Sequence, residues 1–171
     1  MATKLTGPTV VGPNLDLTFP RNDPGIQLGS VVWGEEGKAY RYVQFADNVT
    51  YAHGHVVTLA SVDGTWKVTN DRAGGSDVAG IAVGVVHHPS DLVPAKDSFG
   101  WVQVAGVADV LVKGGCAAGD LLVLSSTDGA AAEASYDAME GLAHADLASF
   151  AVALAAIEDN KTGKVLLRGL I

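Results

Sequence analysis

The chain has 171 residues, 48% of them hydrophobic and 18% charged, with 21 glycines and a formal charge of −8. That length buries one good core and is short for two, and the apolar content excludes a disordered chain. The eleven Lys and Arg are scattered, which excludes electrostatic binding to nucleic acid or anionic lipid, since both need clustered cations.

Four of the six prolines (Pro8, Pro13, Pro20, Pro24) fall in residues 1–29. Proline at this density blocks helix and removes ladder donors, so this segment is expected to be an extended arm, with Leu15, Leu17 and Phe19 alternating along it. Ser30–Trp33 reads as a short strand closed by the turn Gly34-Glu35-Glu36-Gly37, with Tyr40–Phe45 pairing back. Alternation in that second strand places Val43 and Phe45 on one face and Tyr42 and Gln44 on the other.

Tyr51–Thr69 then reads as a β-hairpin: a glycine turn, an apolar run, an Asp63-Gly64 turn and a return strand. Asp71–Gly75 is a glycine-rich loop, Val78–Val86 an apolar strand, and Ser90–Ser98 a loop bounded by Pro89 and containing Pro94.

Cys116–Ala134 repeats the hairpin. It lies over Tyr51–Thr69 at an offset of 65 with six identical positions, including Gly54/Gly119, Asp63/Asp128 and Gly64/Gly129, which marks an internal repeat. Flanking segments extend it: YVQFA at 42–46 is answered by WVQVA at 101–105, IAVGVV at 81–86 by FAVALA at 150–155, and GWVQVAGVA at 100–108 by GKVLLRGLI at 163–171. Ser135–Ser149 is alanine-rich, and Asp137 followed by Glu140 has the form of a capping box opening a short helix. Helix propensity would continue through FAVALAAI, but the repeat assigns Phe150–Ala155 to a strand.

The expected fold is therefore all-β: a single β-barrel or β-sandwich domain of residues 30–171, built from two tandem pseudo-repeats at about 40–99 and 100–171. An extended N-terminal arm of residues 1–29 precedes it, and one short helix lies in the second half.

Candidate chemistry is sparse. His53-Gly54-His55 places two imidazoles on one strand face, yet a metal needs further ligands, and the repeat has Ala118 and Asp120 there. His87 and His88 end a strand at Pro89. Ser125 and Ser126 precede a turn, and Asp63 and Asp128 are explained by the positive φ that an Asp-Gly hairpin requires. Trp33, Trp66 and Trp101 lie on different strands and read as core or rim packing. The lone cysteine, Cys116, replaces Tyr51 of the other repeat and reads as a small apolar filler that has no internal disulfide partner. No catalytic, cofactor-binding or metal-binding residue is expected, and the protein is not expected to be an enzyme. The lack of an apolar run of membrane-span or signal length predicts a soluble protein made in a reducing cytoplasm.

GSVVWGEEGKAYRYVQFAD, the glycine turn and hairpin, GIAVGVV and FGWVQVAGVADV together resemble the capsid decoration (cement) proteins of tailed bacteriophages over about Gly29–Ala134. The resemblance implies a β-rich structural protein that binds the outer surface of an icosahedral head through the major capsid protein. It also implies a homo-oligomer, commonly a trimer, that stabilises the shell and touches neither nucleic acid nor membrane. The contacts are expected from the arm at Thr6–Leu28 and the loops at Asp71–Gly75 and Ser90–Ser98. The alternative is a trimeric β-rich sugar-binding or tail-fibre module.

Overall fold

The computed structural model describes residues 26–46, 50–60, 65–71, 82–87, 98–134 and 149–170. Most of the predicted arm, the two loops apart from Asp71 and Ser98, and the predicted helix lie outside the described residues. Within them are ten strands and one 3-10 turn, Glu35–Gly37. The strands are β1 (Val31–Trp33), β2 (Ala39–Phe45), β3 (Val56–Leu59), β4 (Lys67–Thr69), β5 (Ala82–Val86), β6 (Phe99–Val112), β7 (Leu121–Leu124), β8 (Ala131–Glu133), β9 (Ala151–Ala153) and β10 (Lys161–Leu167).

Sequence order could not choose between barrel and sandwich, but the pairings do. They run β2-β4-β3-β5-β6 and close back through β2–β6, then β6-β10-β9-β7-β8 and close back through β6–β8. The protein is thus two five-stranded barrels, ring 1 and ring 2, with β6 in both walls. Closure gives every strand in a ring two neighbours and leaves no open edge. Beyond the rings, β1 pairs among the described residues with β2 alone.

The fourteen residues of β6 divide cleanly. Phe99–Ala105 pair with β2, and Gly106–Val112 pair with β10. Gly106 sits at the changeover with φ +82, and a Cβ there would lie 2.9 Å from the Gly37 carbonyl oxygen and 3.0 Å from Lys38 Cα. Only glycine fits this bend without strain. The side chain of Gln103, fully buried, straddles it: Nε2 donates to the carbonyls of Ala105 (3.0 Å) and Val107 (2.9 Å).

The pairings also correct the repeat alignment. YVQFA and WVQVA are antiparallel neighbours inside ring 1, with Tyr42 opposite Trp101. The counterpart of β2 is instead the second half of β6, because Val43 faces Gly100 as Val110 faces Gly163. The match of 100–108 with 163–171 identifies the strands that close each ring, so the chain's end repeats a closing strand and not an opening one. Pairing also places β5 over β9 with Val85 on Val152, two residues from the sequence match. In the hairpin, β3 lies over β7 at the expected offset. The return strand does not, because eight residues separate Leu59 from Val68 but six separate Leu124 from Ala131. All these slips are even, so each side chain keeps its face.

The alternation read in β2 holds, with Val43 and Phe45 inside ring 1. The Ala-rich 151–153 segment is a strand, as the repeat requires, because its Ala151 and Ala153 face the ring 2 core between β7 and β10. Val56 and Val85 belong to that ring 2 core although they stand on ring 1 strands. The part of the ring 1 outer wall formed by β3 and β5 is therefore buried against ring 2, and this joins the two barrels into one body.

Candidate functional surface and the ring junction

Several polar side chains meet at the junction of the two rings. The second hairpin's turn plugs into ring 1: Gly129 N–H donates to the Asn70 carbonyl (2.9 Å) and Val56 N–H donates to the Gly129 carbonyl (2.8 Å). Gly129 has φ +66, the conformation that the Asp-Gly pair predicts, and a Cβ there would lie 2.7 Å from the His55 ring. Asn70 Nδ2 donates to His55 Nδ1 and to the Thr50 carbonyl, both at 2.8 Å. Burial pushes the His55 pKa down, against the Thr50 backbone and the Asp128 carboxylate, which pull it up.

His53 turns to a different partner. Its Nε2 lies 3.3 Å from Asp109 Oδ2, and Lys164 Nζ donates to the same oxygen at 2.7 Å. The His87 ring packs edge-on to His53 at 5.5 Å and near Tyr40 at 6.0 Å. Burial first, then the positive charges of His53, Lys38 and Lys164, push the His87 pKa down, while Asp109 pulls it up. Burial raises the Asp109 carboxyl, but hydrogen bonds from Lys164 and His53 outweigh it and hold the group below the usual carboxylate range. The Gly54 carbonyl accepts from Leu111 N–H, and Gly54 N–H donates to the Val86 carbonyl. The His53-Gly54-His55 segment therefore stitches ring 1 to ring 2, its two imidazoles committed to separate networks. Among the described residues no cluster of three His, Cys, Asp or Glu is arranged to hold a metal.

The remaining sequence candidates are dispersed. Cys116, half-buried, bridges to Ile157 and packs on the ring 2 core, and burial raises its thiol pKa. Ser125 is buried, and its Oγ accepts from Thr127 N–H in the turn; Ser126 and Asp128 are exposed. Trp101 packs on Tyr42 with ring centres 5.0 Å apart. Trp66 carries the buried Arg41 guanidinium 4.1 Å above its ring, a cation–π pair that offsets part of the cost of burying the charge. Trp33, by contrast, is 54% exposed. Sequence reading passed over Arg41, Gln103, Asp109 and Lys164. The available signal was a charged or amide residue on an otherwise apolar strand, which marks either a partner across the sheet or an outward face.

The surface itself carries the remaining feature. The large apolar side chains that the described residues expose are Trp33, Val107, Leu154 and Leu166. Three of them lie together on ring 2, where Val107 is the cross-strand partner of Leu166 and Leu154 N–H bonds to the Lys164 carbonyl on the same strand.

No protein-family model matches the chain, and no curated protein matches it. Among solved structures it is similar to the N base of the head fiber gp8.5 in bacteriophage phi29, with a TM-score of 0.48 and 13% identity, over 76% of this chain and 93% of that one.

Proposed function

We propose that this protein is a structural component of a tailed-phage virion, a decoration protein that binds the outer surface of the icosahedral head as a trimer and stabilises it through the major capsid protein. The observation that carries this is where the family-like segments fall. GSVVWGEEGKAYRYVQFAD spans β1, the 3-10 turn and β2, and FGWVQVAGVADV spans most of β6. These are a ring 1 strand with the β1 that pairs to it, and the strand shared by both rings, so the resemblance follows the framework of the fold and is not confined to one turn.

The mechanism is mass action. A protein that binds only the assembled shell stabilises it by its binding free energy, and the effect is repeated at every occupied site. The work falls to surface complementarity and to a body rigid enough to hold it, which the two fused barrels supply. In this role the protein is not an enzyme and needs no cofactor.

The test is to mix purified protein with mature heads lacking it, sediment the heads and follow their resistance to heat or to chelator. Co-sedimentation at a fixed ratio, with the heads surviving longer, is expected. Protein that stays in the supernatant at saturating concentration overturns the reading. A defined ligand on a glycan array, or stoichiometric metal by elemental analysis, would instead favour a sugar-binding or tail-fibre module.

A further inference from the structure

The register of the two rings makes one surface of ring 1 comparable, residue by residue, with a surface of ring 2. On ring 1 a row runs outward-facing across four strands: Tyr40 pairs with Gln103, Gln103 with Val85, and Val85 with Val56. All four residues are at most 2% exposed, and Val56 and Val85 sit in the ring 2 core. Covering Val56 and Val85 is how one ring packs on the next.

The equivalent row on ring 2 is Val107, Leu166, Val152 and Leu121, paired in the same order across β6, β10, β9 and β7. Its inward neighbours Ala108, Val165, Ala153 and Leu122 are buried in the core, so the row faces out. Leu166 is 43% exposed and Val107 38%. Val152 and Leu121 are half-buried. The ring 2 row is the more apolar of the two, since Tyr40 and Gln103 of ring 1 are matched here by Val107 and Leu166. A monomer gains nothing from holding such a row in water.

We propose that the row Val107, Leu166, Val152 and Leu121 is a docking surface for a second copy of this chain. Within the chain, the β5 and β3 members of the counterpart row, Val85 and Val56, are covered by a barrel of the same fold, so a second copy supplies a module of the kind already seen to cover them. The surface on the second copy differs from the one ring 2 presents to ring 1. Leu111 N–H of ring 2 donates to the Gly54 carbonyl, whereas its ring 1 equivalent, Gln44 N–H, already donates to the Trp66 carbonyl. The association therefore rests on the apolar row and not on a repeat of that backbone bond. The proposal depends on the oligomer in the preceding reading and not on its capsid.

The experiment measures molar mass by size exclusion with light scattering, across a concentration series, for the wild type, Leu166→Asp, Val107→Lys and the control Lys161→Ala. Lys161 is exposed on β10 outside the row. Circular dichroism and a melting curve establish that each variant is folded. The wild type and Lys161→Ala are expected at a multiple of 17.5 kDa. Leu166→Asp and Val107→Lys, folded, are expected to dissociate at concentrations at least about tenfold higher than the wild type does, as for a central interface residue. Both variants keeping the wild-type mass overturns the surface while leaving the oligomer standing. A monomeric wild type overturns the oligomer and the surface together. Variants that keep their mass but no longer sediment with phage heads assign the row to the capsid protein and overturn its assignment to a second copy.

Discussion

Replacing Gly106 with alanine tests whether the bend in β6 joins the two barrels. Two costs add. At φ +82 a side chain enters the left-handed region, for about 1–2 kcal/mol. The new Cβ also meets backbone at 2.9 Å (Gly37 oxygen) and 3.0 Å (Lys38 Cα), which must shift, for about 1–3 kcal/mol by analogy with overpacking. The sum of about 2–5 kcal/mol is a large part of the 5–15 kcal/mol typical of a domain, and for a chain of this size it lowers Tm by about 5–15 °C. Gly114 is the internal control, since its φ is +89 but nothing lies within 4 Å of its Cβ position, so Gly114→Ala bears the conformational cost alone. Thermal unfolding of the two variants, side by side with the wild type, reads the difference. Equal losses, or a Gly106→Ala protein as stable as wild type, would refute the packing of the bend against the 3-10 turn.

Other outcomes follow from the same geometry. Gln103→Leu leaves the Ala105 and Val107 carbonyls without the amide that holds them, and is expected to cost about 1–3 kcal/mol in urea unfolding. Leu122→Ala empties a fully buried site in ring 2 and is expected to cost about 2–5 kcal/mol in the same assay. His55 and His87 have folded pKa values below their unfolded value of about 6.5. Stability from both is therefore complete above pH 6.5 and falls as the pH drops through the folded values, because the unfolded chain binds protons the fold resists. Melting curves from pH 7.5 to pH 5 should show this decline, and His87→Gln should make it shallower; an unchanged slope would remove His87 from the explanation.

Local pattern made much of the fold legible. The Asp-Gly turn at Gly129, the face assignment of Val43 and Phe45, and the strand at 151–153 all follow from period-2 alternation and turn chemistry. The sharing of β6 was hidden by burial. YVQFA and WVQVA look alike because both lie in the wall of ring 1, where each face of the strand is largely covered. The true counterpart of β2, GVADVLV, has one face toward solvent, so Tyr40 and Tyr42 are matched there by Val107 and Asp109 and the likeness disappears. For the same reason the junction histidines were legible as a pair but not as ties: the Asp109 carboxylate that His53 meets is also bound by Lys164, which stands there only once β10 lies beside β6. The outer row of ring 2 could not be found in sequence at all, since its four residues come from four strands whose order only the ring closure fixes.

The measurement that bears most directly on the central claim is an electron cryomicroscopy reconstruction of phage heads with and without the protein bound. The account predicts added density on the outside of the shell into which the two fused barrels fit, repeated at equivalent lattice positions and absent from heads lacking the protein. Heads whose exterior is the same in both reconstructions at saturating protein, or density confined to the neck or tail, would contradict it.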